Sequence, residues 1–317
     1  MSKRKRVMFV GGCNPAGTNE VWGGSKATFH AFINSFKEDS EYELIYKTRD
    51  DFLVNGEFLL DDFVDFLNSG DISHVDDTGI IEVMFKHGLP APDVIGPIVR
   101  SPIKNYKGWD CCYPKDWFYK AKVIRLNYNE ERKNHELVKL IKHGIDTETL
   151  KPVNGKFRKY VLWAGMVPRG AKNYPLMEEI MKITKLPQPY EFKIMSMYNV
   201  EDYWKVLDET AIFINTSKYE SSCCALFEAR AKGVATIQPL LLNGVGAHEK
   251  APVQVEYNAE AYRDMILALL SDSEGKTDKN YKYIGAICRN YCVTNASLKN
   301  MRDTIAVIYQ EVLNEKD

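Results

Sequence analysis

Two glutamates eight positions apart have the residue type and spacing to bind a nucleotide-bearing ligand. Glu220 lies in a polar loop, and Glu228 lies in the following segment of good helix formers. The first backbone N–H groups of that helix, around Cys223, Cys224 and Ala225, would form an anion site. A carboxylate on either side of an anion site suits a sugar nucleotide. The N–H groups would bind the diphosphate, one carboxylate the ribose hydroxyls, and the other would face the sugar.

The same spacing also allows a structural interpretation. Glu228 could satisfy the helix N-terminus or join a surface ion pair, and Glu220 could be an ordinary loop carboxylate. The pair Cys223 and Cys224 is interpreted first as small buried residues and second as a reactive thiol, because a helix start lowers a thiol pKa. From the spacing alone, these alternatives stay open.

A strand, a loop, a helix and a second strand must position the two glutamates. The apolar stretch 211–215 predicts a strand, residues 225–232 predict a helix, and residues 234–237 predict the next strand. Gly233, directly after the helix, suits the left-handed backbone conformation in which many helices end.

The rest of the chain repeats this α/β alternation. A short apolar run at 6–10 ends at a Gly-rich stretch, and a helix-like segment at 25–36 follows. Further candidates alternate along the chain: strands at 42–46, 94–99, 122–126, 160–164 and 192–195, and helices at 58–67, 130–141, 174–183 and 201–208. The pattern predicts parallel sheets covered by helices.

A polar stretch with Pro and Gly at 151–155 separates two similar halves. We predict two Rossmann-like domains, 1–152 and 153–317, with a last helix able to pack back on the N-terminal domain. Two such domains facing each other form a cleft between the carboxyl ends of their sheets, where ligands of such sheets bind.

Composition excludes several classes of protein. Lys and Arg number 42 against 43 Asp and Glu, so the chain lacks the overall basicity of a protein whose main partner is nucleic acid or an anionic membrane. Seven cysteines and an N-terminus without an apolar signal segment favour reduced thiols in a cytoplasmic location. The longest apolar runs, such as 234–242, are well short of the ~20 residues of a transmembrane helix.

Two regions keep alternative interpretations. Residues 38–77 carry thirteen acidic and two basic residues, whereas 100–142 carry eleven basic and five acidic. The preferred interpretation of both stretches is a solvent-exposed helical face. The alternative for the basic stretch is a surface that contacts an anionic acceptor. An aromatic patch within 106–119 is either N-domain core or a platform that binds a sugar or lipid acceptor.

The segment around the two glutamates resembles a known family. Ser-x-Tyr-Glu, seven residues, Glu-Ala, a small-residue helix and Gly-Val are similar to the Glu-x7-Glu region of the family 4 retaining glycosyltransferases, which have the GT-B fold. Three further stretches agree in order and spacing: HGIDTETLKP at 143–152, VLWAGMVPRGAKN at 161–173, and Gly23-Gly24-Ser25 before a helix.

The resemblance implies roles for individual residues. Lys172 matches the lysine that binds the donor diphosphate, and Arg169 takes the place of the family arginine, where this chain has Met166. Glu228 matches the glutamate that binds the donor ribose, and Glu220 the one near the transferred sugar. The amides around Cys223, Cys224 and Ala225, together with Gly23 and Gly24, complete the implied donor site.

The resemblance also implies a mechanism. Cations and amides stabilise the charge that grows on the leaving diphosphate, attack occurs on the front face, and the leaving phosphate takes the acceptor proton. No Asp-x-Asp motif occurs, so we expect no metal, and the Gly-x-Gly-x-x-Gly spacing is absent, so we expect no dinucleotide or other cofactor. The N-domain histidine of the family has no counterpart, because His74 precedes a predicted loop and Arg100 occupies the likelier strand end.

The sequence therefore predicts an α/β chain of GT-B fold that transfers a sugar from a nucleoside-diphosphate sugar to an unidentified acceptor, whether glycan, lipid, protein or nucleic acid. The alternative is an inactive or weakly active nucleotide-sugar-binding protein that acts by interaction. A sugar-nucleotide epimerase of the same fold is a third reading, which the Glu-x7-Glu pattern disfavours. The sequence does not indicate an oligomeric state.

Overall fold

The computed structural model describes residues 3–11, 24–76, 78–98, 122–125, 138–196, 198–218, 223–240, 253–271 and 280–316. These residues form two compact units. The first contains the described residues within Met1–Gly17, Ser25–Gly144 and Leu298–Asp317, and the second those within Thr18–Gly24 and Ile145–Ser297.

The described strands, in chain order, are β1 (Lys5–Gly11), β2 (Tyr42–Thr48), β3 (Leu53–Val54), β4 (Glu57–Phe58), β5 (Ile72–Asp76), β6 (Val94–Ile98), β7 (Lys122–Arg125), β8 (Val138–Leu140), β9 (Tyr160–Ala164), β10 (Glu191–Met195), β11 (Thr210–Ile214), β12 (Ala235–Pro239) and β13 (Gln254–Val255). The described α-helices are α1 (Gly24–Ser35), α2 (Leu60–Asn68), α3 (Thr78–Lys86), α4 (Tyr174–Ile183), α5 (Val200–Asp208), α6 (Cys224–Ala231), α7 (Ala259–Leu270), α8 (Asn280–Asn295) and α9 (Leu298–Lys316).

The first unit is built on a parallel sheet of six strands in the order β2-β1-β5-β6-β7-β8. Side chains of β1 alternate between its two faces, as a strand buried on both sides requires. Val7 and Phe9 pack with α1 and α9 on one face, and Met8 and Val10 pack with α2 and α3 on the other. The C-terminal helix therefore completes the core of the first unit.

A buried histidine connects that helix to the sheet. His74 lies within β5, is fully buried, and its Nδ1 is 2.7 Å from the Tyr309 hydroxyl on α9. The rings of Phe9 and Phe32 meet it edge-on at 4.9 and 5.0 Å between centroids. His74 therefore lies inside a central strand, two residues before its end at Asp76, and its aromatic neighbours hold it in the core.

The second unit has a five-stranded parallel sheet in the order β10-β9-β11-β12-β13. Helices α4 and α7 cover one face, while α5 and α6 pack on the other. The ends of this unit lie side by side, because Ile145 forms a parallel bridge with Ser297 and donates its N–H to the Ala296 carbonyl at 2.7 Å.

Two glycines allow α8 to cross the end of α6 closely. Gly233 follows α6 with φ +68°, which confirms the left-handed conformation expected there. A Cβ atom at Gly285 of α8 would lie 2.2 Å from the Gly233 carbonyl oxygen, so only glycine fits. The neighbouring Cys288 and Cys292 of α8 are fully buried and form no disulfide.

Most predicted elements in the described part of the chain are found within two residues of their predicted bounds. The helix predicted at 130–141 is an exception, because Val138–Leu140 forms the edge strand β8. There, pairing with β7 overrides the local helical pattern. Among the described helices, none has the length and apolar character to span a membrane.

Acid should destabilise the first unit through its buried histidines. Burial lowers the pKa of His74 from 6.5 to about 3 and that of His143 from 6.5 to about 4. The unfolded chain therefore binds more protons than the folded chain below pH 6.5, so the free energy of unfolding falls as the pH falls. His74→Gln, which keeps a polar partner for Tyr309, should flatten this slope by about 1.4 kcal/mol per pH unit between pH 6 and 4.

Urea unfolding of the full chain at several pH values measures this slope. His87→Gln, which changes an exposed histidine, is the matched control. An unchanged slope in His74→Gln would contradict the assignment.

Candidate functional site

The candidate site lies at the carboxyl ends of β9 and β11, which are adjacent in the second sheet. The loop after β9 contains a short 3₁₀ helix, Gly170–Lys172, and α4 follows it. The loop after β11 approaches the first loop directly, because the Lys218 N–H donates to the Ala171 carbonyl at 2.8 Å. Parallel topology thus brings the loop that carries Arg169 and Lys172 next to the loop that follows β11.

A buried hydroxyl joins these two loops. Thr216 is fully buried; its Oγ1 accepts a hydrogen bond from Trp163 Nε1–H at 2.9 Å and donates one to the Lys172 carbonyl at 2.8 Å. Both polar capacities of the hydroxyl are used, which is the condition for burying it at little cost. The backbone of Lys172 is therefore held against the sheet.

Two tyrosines extend this network. The Tyr257 hydroxyl donates to the Thr216 carbonyl at 2.9 Å and accepts from Asn173 Nδ2 at 2.5 Å. Asn173 has φ +48°, a left-handed conformation that asparagine tolerates, and it directly precedes α4. The Tyr262 hydroxyl donates to the Asn215 carbonyl at 2.7 Å, so the start of the β11 loop is also fixed.

The cations of the β9 loop differ in exposure. Lys172 is partly buried, and its Cδ would be 3.5 Å from a Cβ built on Gly165, so its aliphatic stem lies over the end of β9. Arg169 is exposed, as is Met166, whose exposed fraction is 42%. The loop therefore presents one cation against the strand end and one toward solvent.

Helix α6 is buried along nearly its whole length. It begins at Cys224 after the N-cap residue Cys223, and both are buried cysteines that form no disulfide. The Tyr203 hydroxyl donates to the Ala225 carbonyl at 2.7 Å, and burial raises the pKa of Tyr203 well above its ordinary value. Tyr203 therefore stays protonated and anchors the first turn of the helix.

Glu228 lies one turn into α6 and is only 3% exposed. The alternative in which this carboxylate takes part in a surface ion pair is therefore wrong. A buried carboxylate needs hydrogen-bond donors around it, and paired ligand hydroxyls are suitable donors.

Two arginines bind the opposite end of α6. Arg158 donates to the carbonyls of Lys232 and Gly233 at 2.8 and 2.5 Å. Arg289 donates to the Ala231 carbonyl at 2.5 Å and also to the carbonyls of Leu150 and Thr147, at 2.6 and 2.7 Å. Guanidinium groups at a helix C-terminus complement its partial negative charge. The positive end of the helix dipole lies at the opposite terminus, around Cys223 and Cys224.

Several predicted site residues lie outside the described residues. These are Glu220, Gly23 and the aromatic patch within 106–119. Gly24 is the first residue of α1, and Ser25 also lies in this helix. The described part of the chain contains no group of three or more His, Cys, Asp and Glu side chains arranged to hold a metal ion.

Sequence reasoning missed the residues that organise the site. Thr216 and Tyr257 belong to no motif, and Asn173 only ends the stretch 161–173, while their bonds connect positions 41 to 84 residues apart in the chain. The only sequence signal was indirect: a polar Asn-Thr-Ser run follows an apolar strand and therefore must find hydrogen-bond partners.

Comparison with known proteins identifies the fold. No protein-family model and no curated protein matches this chain at a significant level. Among solved structures, sucrose-phosphate synthase from Thermosynechococcus elongatus has a TM-score of 0.67 at 12% identity, covering 98% of this chain and all of that one. Anabaena HepE in complex with UDP has a TM-score of 0.64 at 11% identity, covering 97% of this chain and all of that one.

A third similar structure is an α-glucosyltransferase in complex with UDP and a 13-mer DNA. Its TM-score is 0.65 at 10% identity, over 97% of this chain and 100% of that one. These similarities, with the parallel sheets described above, confirm the predicted fold class: an α/β chain with two Rossmann-like units, as in GT-B glycosyltransferases.

The Thr216 hydroxyl should contribute measurably to stability. Thr216→Val keeps the side-chain volume but leaves Trp163 Nε1–H and the Lys172 carbonyl without their partner, which should cost about 1–3 kcal/mol. Thr184→Val is the matched control, because the Thr184 hydroxyl is buried without a hydrogen-bond partner among the described residues. Urea unfolding of both variants should show a loss for Thr216→Val alone. Equal effects in the two variants would exclude this role for the Thr216 network.

Proposed function

We propose that this protein transfers a sugar from a nucleoside-diphosphate sugar to an acceptor hydroxyl. The observation that carries the proposal is the pairing of two features in one unit. These are a helix whose negative end is bound by two arginines and a lysine whose backbone is fixed on the adjacent loop. The glycosyltransferase structures of the same fold support the proposal, and UDP in two of them makes UDP the first nucleotide to test.

The diphosphate of the donor is the group that this arrangement suits best. The backbone N–H groups at the start of α6, the Lys172 ammonium and the Arg169 guanidinium are all donors for phosphate oxygens. When the bond between sugar and phosphate breaks, negative charge grows on the leaving diphosphate. A donor already aimed at that charge lowers the barrier by roughly 3–4 kcal/mol in comparable sites. Because Thr216 fixes the Lys172 backbone, little reorganisation is needed at that moment.

The two glutamates bind different parts of the donor in this proposal. Glu228 accepts hydrogen bonds from the ribose hydroxyls, which replaces the water that its carboxylate loses on burial. Glu220 lies near the transferred sugar and stabilises the positive charge that develops at the anomeric carbon. The resemblance to family 4 supports both roles.

The stereochemical course proposed is retention by front-face attack. The acceptor oxygen forms its bond to the anomeric carbon on the face from which the diphosphate leaves, and the departing phosphate oxygen takes the acceptor proton. Membership of glycosyltransferase family 4 and independence of a metal belong to the same proposal. A nucleotide-sugar-binding protein without turnover is the alternative. Release of free UDP from UDP-glucose, with and without candidate acceptors, separates the two.

Lys172→Ala should weaken the binding of UDP. Loss of one charge-assisted contact costs roughly 1.5–3 kcal/mol, which corresponds to a Kd about 10- to 150-fold higher. Calorimetric titration with UDP measures this change. Lys182→Ala on α4 is the control, because it removes an exposed lysine of the same unit. Equal Kd values for both variants would show that Lys172 does not bind the diphosphate.

Substitution of the two glutamates should change the kinetics in different ways. Glu228→Gln should raise the donor KM while changing kcat less, because contacts to the ribose are equal before and during the reaction. Glu220→Gln should lower kcat with donor affinity less changed, because its contact strengthens in the transition state. Initial rates with UDP-glucose, with Glu178→Gln on α4 as an exposed control, measure both effects. Wild-type kinetics in both variants would make the Glu-x7-Glu spacing a coincidence.

A further inference from the structure

A basic groove lies at the end of α6 that is opposite to the candidate site. It is formed within the second unit by the segment 152–158 and by α8, and its volume is about 760 Å³. Pockets of this size hold small organic ligands. Helix α6 has 8 residues, so its two ends are about 12 Å apart at 1.5 Å per residue. The groove is therefore separate from the proposed donor site.

Four cationic side chains line the groove: Lys156, Arg158, Lys282 and Arg289. None of the residues described as lining it is Asp or Glu. Two carboxylates nearby act electrostatically on the arginines, Asp208 on Arg158 and Glu148 on Arg289. Each is already in an ion pair, with Lys232 at 2.5 Å and with Lys151 at 2.8 Å, respectively. The groove thus concentrates positive charge.

The two arginines are held at the same end of α6 by neutral groups. Arg289 binds the Ala231 carbonyl, and Arg158 binds the carbonyls of the next two residues, Lys232 and Gly233. The carbonyls that hold them carry only partial charge. Two full positive charges at one helix end, in a groove whose lining includes no carboxylate, favour the binding of an anion. Phosphate matches the planar donor geometry of arginine and neutralises more charge than a carboxylate does.

Part of the remaining surface of the groove is apolar and exposed. Phe157, Val293 and Val153 line it and are 54%, 44% and 38% exposed. A bare inorganic ion would leave these side chains in water. A ligand with an aromatic or aliphatic body would cover them and gain free energy from burial.

We propose that this groove binds a phosphate monoester that carries an apolar or aromatic body. The phosphate lies against the two arginines and is also neutralised by Lys156 and Lys282, and the body covers Phe157 and Val293. The site does not depend on the proposed function, because none of these residues is proposed to contact the donor.

Phenyl phosphate is the probe, titrated by calorimetry into the full chain in the absence and presence of saturating UDP. We expect one binding site for phenyl phosphate, and UDP should not change its affinity. The affinity for phenyl phosphate should be at least tenfold higher than the affinity for inorganic phosphate. Lys156→Ala/Lys282→Ala should weaken binding at least tenfold, and Phe157→Ala should remove the advantage over inorganic phosphate. Both lysines are exposed, so the variant keeps the arginines that hold α6. Lys182→Ala/Lys185→Ala, which also removes two exposed lysines, should bind as the unchanged protein does.

Two outcomes would overturn the proposal. One is that Lys156→Ala/Lys282→Ala and Lys182→Ala/Lys185→Ala bind phenyl phosphate with equal affinity. The other is that phenyl phosphate binding is lost when UDP is present. If UDP itself does not bind, the proposed function fails, whereas the variant comparison without UDP still decides about the groove. Flotation with vesicles of phosphatidylcholine containing phosphatidic acid identifies the source of the monoester. If the protein floats with these vesicles and Lys156→Ala/Lys282→Ala does not, the monoester is a lipid headgroup. If the protein does not float, the ligand is soluble.

Discussion

The hydroxyl group of Thr216 is the constraint on which the geometry of the candidate site depends. It is fully buried, it accepts from the Trp163 indole, and it donates to the Lys172 carbonyl, so no water molecule is needed to satisfy any of the three groups. The loop after β9 is consequently held by the core of its own sheet. A cation on such a loop has its position set before any ligand arrives, which is how polar sites gain strength without reorganisation.

Helix α6 is arranged as an oriented dipole whose two ends have different partners. Its last carbonyls are bound by Arg158 and Arg289, and the start of its first turn is anchored through the Tyr203 hydroxyl. Two charged side chains, Glu228 and Arg230, are buried along the same helix; Arg230 donates to Thr236 and Gln238 at 3.1 and 2.9 Å. This number of polar groups inside a short helix is costly unless each is satisfied. Arg230 meets this condition through two side chains of β12.

Local sequence patterns were sufficient for the parallel sheets but not for the contacts that organise the site. The strand Tyr160–Ala164 and the helix Tyr174–Ile183 have the predicted bounds, because apolar runs and helical periodicity are properties of neighbouring residues. The bond between Trp163 and Thr216 joins positions 53 residues apart, and the role of His74 depends on a tyrosine 235 residues further on. Such pairs have no local pattern. The cationic groove was not predicted from the sequence for the same reason. Its two arginines lie before the first and after the last strand of the second sheet.

The C-terminal helix α9 has a consequence for how the chain acquires its structure during synthesis. Its 19 residues end the described chain, yet its Ile305 and Tyr309 fill the core of the sheet that begins at β1. A growing chain on the ribosome therefore leaves this sheet face without its covering helix until α9 has been synthesised. The second unit, whose ends already meet at Ile145 and Ser297, can close before that point. Translation order and folding order are thus opposed in this molecule, and the early part of the chain is the part that most needs protection from aggregation.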